Sequence, residues 1–577
     1  MKWVLAPTVV TAVLMALVPA TAGQAQPERS EPNLRWGACA DIPDSRLECA
    51  DLPVPRDYRA PRGEKITIAV SRLKAADPGK RRGIMLLNPG GPGGSGLDLP
   101  LYLAETLPAE VLDRYDLIGF DPRGVGRSTP ISCGIPETTP IDLVLPYPAP
   151  DGSIDRNIAY ARATARSCVA TAGDLLPHIT TANTARDMDR VRAALEESKI
   201  SYLGYSYGSY LGAVYISLFP ERTDRIVLDS AVDPARVWYG VWSSWGEAVA
   251  LRLPDFTTWA AARDDIYHLG ATPGEVERTY YRIAERLDRS PVELPGFTFN
   301  GNVFREQTRS GLYDDRSFGD LAEFWQAFSD PANPPTAATV KPTGLAQPAA
   351  DNGLAVLYGI ACGDVSWSRD TGRYARDSAA SRRAFPATAG MPANLWPCAF
   401  WTHRPVEPPV TVTDRGPRNV LILQNLRDPA TSWRNGYGLR RALGDRAAFI
   451  TVDAGGHGIY GIRSGPCTDA ITTEFLVGGR LPARDRFCAG PSPEDVPAAG
   501  ARSATPGWRP GPWLQHPLLT TVDDGGQTVP PATSSSPTDA GRAGQVRVDD
   551  GGASAGPATS TGSTTKTGIT RSVFSWY

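Results

Sequence analysis

The feature that most constrains this chain is an apolar run at residues 200–203 that leads directly into Gly-Tyr-Ser-Tyr-Gly and then into an amphipathic helical pattern. Gly204 and Gly208 allow the tight turn that carries a chain from a strand into a helix. Such a turn lifts the Ser206 hydroxyl above the sheet and aims it at the N-terminus of the helix. Ser206 is therefore a candidate nucleophile. Because the chain has 57 glycines, this pattern alone is weak, and its interpretation depends on three further segments.

The first of these segments is the glycine-rich loop at residues 88–96, Asn-Pro-Gly-Gly-Pro-Gly-Gly-Ser-Gly, which follows the apolar run at 84–87. A loop with so few side chains can place bare backbone N–H groups beside a ligand. Acyl transfer needs two such donors for the developing oxyanion, and Tyr207 and Gly91 are the candidates. A phosphate-binding loop would need a Lys followed by Ser or Thr, or a helix directly after the glycines, and the sequence has neither.

An acid and a histidine follow two later apolar runs. Asp428 comes after residues 420–423, and His457 comes after residues 448–452 in the sequence Gly-Gly-His-Gly. The order Ser206, Asp428, His457 is typical of α/β-hydrolases. His457 would take the serine proton and return it to the leaving group, and Asp428 would hold the imidazole in the required tautomer.

Alternatives to this acid and this histidine remain at the level of sequence. Asp229, at the end of the apolar run 226–228, is the second candidate acid, since some hydrolases take their acid from that strand. The chain has four other histidines, and none of them lies in a comparable glycine-rich turn after a strand. These are His178, His268, His403 and His516.

Three segments, at residues 88–96, 115–128 and 204–210, resemble the proline-iminopeptidase-like branch of the α/β-hydrolases. Within that branch the chain is most similar to the secreted tripeptidyl aminopeptidases of actinomycetes, which share Pro89 where the iminopeptidases have His. Residues 227–234, 361–364 and 467–488 add to the likeness. The alternation of apolar runs with helical patterns predicts an α/β fold with a doubly wound, mainly parallel sheet, and the resemblance implies an α/β-hydrolase that acts as a serine exopeptidase. We expect neither a metal site nor a cofactor.

The order of sequence patterns predicts the domain organisation. Strand-like and helix-like segments alternate on both sides of a helix-like insertion rich in Trp and Tyr, which is where hydrolases place a cap between nucleophile and acid. A Pro, Gly, Ser and Thr-rich end has too little apolar content to fold. The predicted boundaries are a signal peptide at 1–25, the core at 34–235 and 407–490, the cap at 236–406, and a largely disordered tail at 491–577.

The chain's ends and cysteines predict export. A cationic start, an apolar stretch to residue 18 and small residues at 20–22 are typical of a cleaved signal peptide, and no later apolar run is long enough to span a bilayer. Eight cysteines without a Cys-x-x-Cys pair favour disulfides in a secreted protein. Proximity and the family resemblance pair them as Cys39–Cys49, Cys133–Cys168, Cys362–Cys398 and Cys467–Cys488.

These observations together predict a secreted peptidase that releases short peptides, tripeptides by resemblance, from the free N-terminus of a peptide or protein. The net charge of −3 gives no electrostatic footprint for nucleic acid. Selectivity for a free amine needs an anchor, and Asp364 is a candidate whose alternative is a structural carboxylate. Two other functions stay open, a capped esterase or lipase and a non-catalytic binding protein. Nothing in the sequence indicates an oligomeric state.

Overall fold

The computed structural model describes the part of the chain that contains the predicted core and cap. Its described residues are 34–40, 42–294, 297–330, 341–342, 351–463, 465–490 and 518–520. The predicted signal peptide lies outside the described residues. So does the predicted tail, apart from the short strand at 518–520, which pairs with the one at 341–342.

A ten-stranded sheet forms the centre of the described structure, in the order β1-β2-β3-β5-β4-β6-β7-β11-β12-β13. Strands β1, β2 and β3 pair antiparallel, as do β3 and β5, whereas all neighbours from β5 to β13 are parallel. Two short antiparallel pairs, β8–β9 and β10–β14, lie outside this sheet. The strands are β1 Gly37–Ala38, β2 Leu47–Pro55, β3 Lys65–Leu73, β4 Gly83–Asn88, β5 Tyr115–Phe120, β6 Ile200–Tyr205, β7 Thr223–Asp229, β8 Val292–Leu294, β9 Phe297–Phe299, β10 Lys341–Pro342, β11 Val420–Arg427, β12 Ala447–Gly455, β13 Arg486–Ala489 and β14 Leu518–Thr520.

Every residue of β4, β5 and β6 is buried, which explains why these strands are mostly apolar in the sequence. Alternate side chains enter two separate hydrophobic clusters, one on each face of the sheet, as the two-residue period of a strand requires. One face carries Leu86, Ile118, Tyr202, Ile226, Leu228 and Ile422. The other carries Met85, Leu87, Leu117, Leu203, Val227, Leu421 and Leu423.

Helices cover both faces of the sheet, so the predicted doubly wound α/β-hydrolase architecture is confirmed. Residues of α5, α6 and α15 belong to the first cluster, and residues of α1, α2 and α16 belong to the second. The α-helices are α1 Leu99–Ala104, α2 Ala109–Leu112, α3 Ile141–Val144, α4 Asp155–Ala172, α5 Thr181–Ala194, α6 Tyr207–Leu218, α7 Tyr239–Ser243, α8 Trp245–Ala261, α9 Asp264–Tyr267, α10 Pro273–Arg289, α11 Gly301–Gly311, α12 Phe318–Ala327, α13 Asn352–Asp364, α14 Thr371–Ala384, α15 Trp433–Leu443 and α16 Pro466–Gly478.

The segment between β7 and β11 is the helical cap, and it contains α7 to α14 together with the antiparallel β8–β9 pair. Aromatic rings pack its interior; for example, the ring of Phe256 lies 4.8 Å from that of Trp325. An ion-pair network joins the cap to the sheet. Asp255 of α8 accepts from buried Arg252 (2.6 Å) and from Arg427 of β11 (2.8 Å). These contacts fix the cap over the carboxyl ends of the strands.

The structure contains all four predicted disulfides, Cys39–Cys49, Cys133–Cys168, Cys362–Cys398 and Cys467–Cys488. Each joins cysteines close in sequence, so each staples a local segment. Two of them hold secondary structure elements: one ties α13 to the 3₁₀ helix Pro397–Phe400, and the other ties α16 to the edge strand β13. Within the described ranges, no helix is both long enough and apolar enough to cross a membrane.

Candidate active site

Ser206 lies in the sharp turn between β6 and α6, where its backbone has φ 58° and ψ −122°. A residue with a side chain rarely adopts this conformation, and the packing around the turn enforces it. The Ser206 N–H donates to the carbonyl of Asp229 (3.0 Å). A Cβ on Gly208 would come within 2.8 Å of Asn88 Oδ1, so a residue with a side chain would not fit there. The close approach of α6 to the end of β4 therefore requires this glycine.

The glycine-rich loop passes directly beside this turn. Asn88 Oδ1 accepts from the Gly90 N–H (3.0 Å), and Gly90 and Gly91 have φ values of 96° and 114° that favour glycine. A Cβ on Gly90 would lie 2.4 Å from the carbonyl oxygen of Tyr205. Gly91 and Tyr207 line the same pocket as Ser206. The two predicted oxyanion donors are thus brought together around the serine.

His457 and Asp428 form a buried pair. His457 Nδ1 lies 3.0 Å from Asp428 Oδ1 and 2.9 Å from Oδ2. The Ala430 and Thr431 N–H groups donate to Oδ1 (2.8 and 2.9 Å), and the Thr431 hydroxyl donates to Oδ2 (3.0 Å). Burial would raise the pKa of Asp428, but His457 and these hydrogen bonds outweigh it and hold the pKa below its usual value. An ionised Asp428 can therefore orient the imidazole.

Asp229, the alternative acid, contacts the chain that follows His457 and has no hydrogen bond to the imidazole. Its Oδ2 accepts from the N–H groups of Ile459 (3.1 Å) and Tyr460 (2.8 Å). Its Oδ1 accepts from the hydroxyl of Ser230 (3.1 Å), whose oxygen accepts from the Gly458 N–H (2.8 Å). No local pattern in the sequence predicts this supporting contact, because it forms only when the loop after β12 folds back over β7.

Burial raises the pKa of Asp229 from 3.8 to about 7. A raised carboxyl pKa means that the folded state binds the proton more tightly, so this group's contribution to stability falls as pH rises from about 4 to about 7. As pH rises across that range, the wild type loses this contribution and Asp229→Asn does not. We therefore expect the unfolding free energy of the variant to rise relative to that of the wild type by as much as roughly 4 kcal/mol. Urea unfolding of both proteins at several pH values measures the difference. If the difference in unfolding free energy between the two proteins did not change with pH, the raised pKa of Asp229 would be contradicted.

Asp364 lies at the end of α13 and is not among the residues that line the pocket around Ser206. Its Oδ1 accepts from the Thr181 N–H (2.8 Å), and its Oδ2 accepts from the Thr181 hydroxyl (2.6 Å) and from the indole N–H of Trp238 (3.2 Å). Burial raises its pKa to about 6 against the effect of these bonds. Because three protein donors already bind this carboxylate, we do not assign it the predicted role of anchor for the substrate's terminal amine.

A pocket opens around Ser206 between the ends of the strands and the cap. His457 lines it, whereas His178, His268 and His403 do not, and His516 lies outside the described residues. His457 also contacts the cap, since its N–H donates to the Tyr313 carbonyl (2.9 Å) and the two rings lie 5.3 Å apart. The remaining walls are mostly apolar and include Val232, Trp238, Val241, Trp242 and Trp245.

Comparison with known proteins agrees with this geometry. The family model for the alpha/beta hydrolase fold matches residues 83–278, and the model for TAP-like proteins matches residues 385–488. The chain is 35% identical to a tripeptidyl aminopeptidase of Streptomyces lividans over 475 residues, which cover 79% of this chain and 86% of that protein. The chain therefore belongs to the tripeptidyl aminopeptidase family of α/β-hydrolases.

Two mycobacterial relatives are named for different hydrolase activities, one as a protease and one as an esterase. The chain is 29% identical to the serine protease Hip1 of Mycobacterium tuberculosis, over 81% of this chain and 93% of that protein. It is 30% identical to carboxylesterase B of the same species, over 79% of this chain and 90% of that protein. Family membership makes the protein an enzyme, a serine hydrolase, and supports a serine peptidase.

Proposed function

We propose that the protein is an exported serine exopeptidase that releases short peptides, three residues long by analogy with its relatives, from free N-termini. One observation carries the catalytic part of this proposal. Ser206 in its strained strand-to-helix turn lines one pocket together with Gly91, Tyr207 and His457, and His457 is paired with buried Asp428. The four disulfides support export, because such bonds persist in oxidising compartments.

In the proposed mechanism, the Ser206 hydroxyl attacks the scissile carbonyl while His457 takes its proton. The Tyr207 and Gly91 N–H groups stabilise the oxyanion that forms on the carbonyl oxygen. His457 then gives its proton to the leaving amine, and the C–N bond breaks. The N-terminal short peptide stays on the enzyme as an ester of Ser206. A water molecule activated by His457 hydrolyses that ester. Asp428 stabilises the imidazolium in both halves of the reaction.

The test compares a tripeptide p-nitroanilide that has a free amine, its N-acetylated copy, and a simple acyl ester. Acetylation removes the charge and the donors of the terminal amine, and loss of a desolvated charged contact costs about 2–5 kcal/mol. We therefore expect at least a tenfold higher kcat/KM for the free amine. Equal turnover of the free and blocked peptides would overturn the exopeptidase proposal.

A secreted esterase is the second candidate, and the carboxylesterase relative supports it. Rapid turnover of the ester with no turnover of either peptide would favour it, since peptide cleavage also needs protonation of a poor leaving group. The third candidate, a non-catalytic binding protein, predicts no turnover and no reaction with a fluorophosphonate probe. An intact serine nucleophile would instead react with that probe.

A further inference from the structure

Three tryptophans from the start of the cap, Trp238, Trp242 and Trp245, form one wall of the catalytic pocket; we call them the tryptophan wall. Neighbouring rings in the wall lie 6.2 and 6.1 Å apart. Trp242 also packs against Trp396 at 4.1 Å. All three are at least 95% buried. The wall is therefore a preformed, rigid surface.

The position of the wall relative to the reacting groups identifies which part of the substrate it contacts. Trp238 packs against Tyr207, whose N–H is an oxyanion donor, with ring centroids 5.7 Å apart. His457 packs against Tyr313. Because His457 protonates the leaving amine, the leaving half of the substrate lies on the His457 side. The acyl half extends the other way, along Tyr207 and the tryptophan wall.

The chemistry of this part of the pocket selects the side chain that it can hold. Indole rings, together with Val232 and Val241, offer apolar contact, and no Asp, Glu, Lys or Arg lines the pocket within the described structure. A charged side chain would lose its hydration there without finding a partner of opposite charge. A bulky apolar side chain would instead bury its surface against the rings.

Asp364 supports the wall from behind. Its carboxylate accepts from the Trp238 indole N–H (3.2 Å) and from the Thr181 hydroxyl (2.6 Å). The same Thr181 oxygen lies 3.2 Å from the Tyr207 hydroxyl. One buried carboxylate from the cap thus links a residue of the wall to the residue that follows the nucleophile.

We propose that the tryptophan wall is the subsite for a bulky apolar side chain on the residue that donates the scissile carbonyl, and that Asp364 is the positioning residue that fixes Trp238 in this wall. This inference rests on the proposed function, because it takes the acyl half of a peptide as the ligand. For a tripeptide product, the residue in question is the third.

The first test uses the wild-type enzyme and free-amine tripeptide p-nitroanilides that differ only at the third residue. We expect kcat/KM with Phe to exceed that with Ala by at least about tenfold, the scale of added apolar contact in a fitted pocket, and Asp to be the poorest. Turnover that is equal for the three substrates would overturn the subsite while leaving the exopeptidase intact. Turnover of the ester but of no peptide would instead overturn the proposed function.

The second test removes part of the wall. Trp242→Ala should reduce the preference for Phe over Ala to less than threefold while the enzyme still reacts with a fluorophosphonate probe, which shows that the nucleophile is intact. Trp36→Ala is the matched control, because Trp36 packs under Arg72 at the far end of the sheet and should keep the preference. A full preference for Phe in Trp242→Ala would overturn the subsite.

The third test separates positioning from general stability. Asparagine at 364 offers one acceptor where the carboxylate meets three donors, so Asp364→Asn should lower the Phe-to-Ala preference at least threefold and leave the ratio of free to acetylated substrate unchanged. Asp351→Asn is the control: Asp351 precedes the same helix, is buried, and accepts from Ser132, Cys133 and Ile135. An equal loss of preference in both variants would reduce Asp364 to a structural residue.

A double-mutant cycle checks the link to Trp238. Trp238→Phe keeps a ring but removes the N–H that Asp364 accepts, so adding Asp364→Asn in that background should change the Phe-to-Ala preference less than it does in the wild type. If the change is the same in both backgrounds, Asp364 does not act through Trp238, and its positioning role is overturned.

Discussion

Replacing Ser206 with alanine is expected to lower turnover of a free-amine tripeptide anilide by roughly 10⁶-fold, the scale seen when the nucleophile of a serine protease is removed. In the proposed mechanism the hydroxyl oxygen forms the covalent bond to the substrate, and alanine removes it. The fold should persist, because the backbone contact that fixes the turn, from the Ser206 N–H to the Asp229 carbonyl, does not involve the side chain. Alanine would adopt the same positive φ as serine.

Steady-state kinetics with a circular dichroism control measure this effect. Ser217→Ala is a matched variant on the same helix, since the Ser217 hydroxyl donates only to the Ala213 carbonyl (2.8 Å) and accepts a long contact from Thr413 (3.4 Å); it should keep nearly full activity. A folded Ser206→Ala enzyme that retains substantial turnover would remove Ser206 from the proposed role.

Asp428→Asn is expected to lower kcat by about 10⁴-fold, as replacement of a triad acid does elsewhere. The carboxylate accepts from His457 Nδ1 and would be replaced by an amide that can turn its NH₂ toward the ring. The imidazole would then lose the tautomer that leaves its other nitrogen free to accept the serine proton. The imidazolium formed during the reaction would also lose its buried counter-charge.

Asp229→Asn is the control for this variant, and it should cost less than tenfold. Asp229 ends β7, Asp428 follows the neighbouring parallel strand β11, and both are buried. A general effect of losing a buried carboxylate would therefore affect both variants alike. Comparing kcat for the two at pH 8 separates a general effect from a specific one. A larger loss in Asp229→Asn than in Asp428→Asn would transfer the role of the acid to Asp229.

The parts of the site that follow strands could be predicted from the sequence. Ser206, Asp428 and His457 each come at or just past the end of a buried strand, and in a parallel sheet the carboxyl ends of the strands meet at one edge. Local sequence patterns were therefore enough to predict that these three residues lie close together. The same patterns ranked Asp428 above Asp229, because Asp428 follows a separate strand between the cap and the histidine. In the structure Asp428 lies beside His457 Nδ1, whereas Asp229 accepts from the loop after β12.

The parts contributed by the cap could not be predicted in this way. Asp364 meets Thr181 and Trp238 across separations of 183 and 126 residues, and no local pattern encodes such contacts. The sequence left two roles open for Asp364, an amine anchor or a structural carboxylate, and the folded chain surrounds it with donors. The tryptophan wall likewise depends on how α7 and α8 lie over Ser206.

Trapping the acyl-enzyme tests the central claim most directly. A free-amine tripeptide aryl ester would be mixed with the enzyme, the reaction would be quenched in acid during the burst of product release, and the digested protein would be mapped by mass spectrometry. We expect the tripeptidyl group on Ser206, and no adduct in Ser206→Ala. A tripeptidyl adduct on a different residue, or steady turnover with no adduct at any time after mixing, would contradict the account.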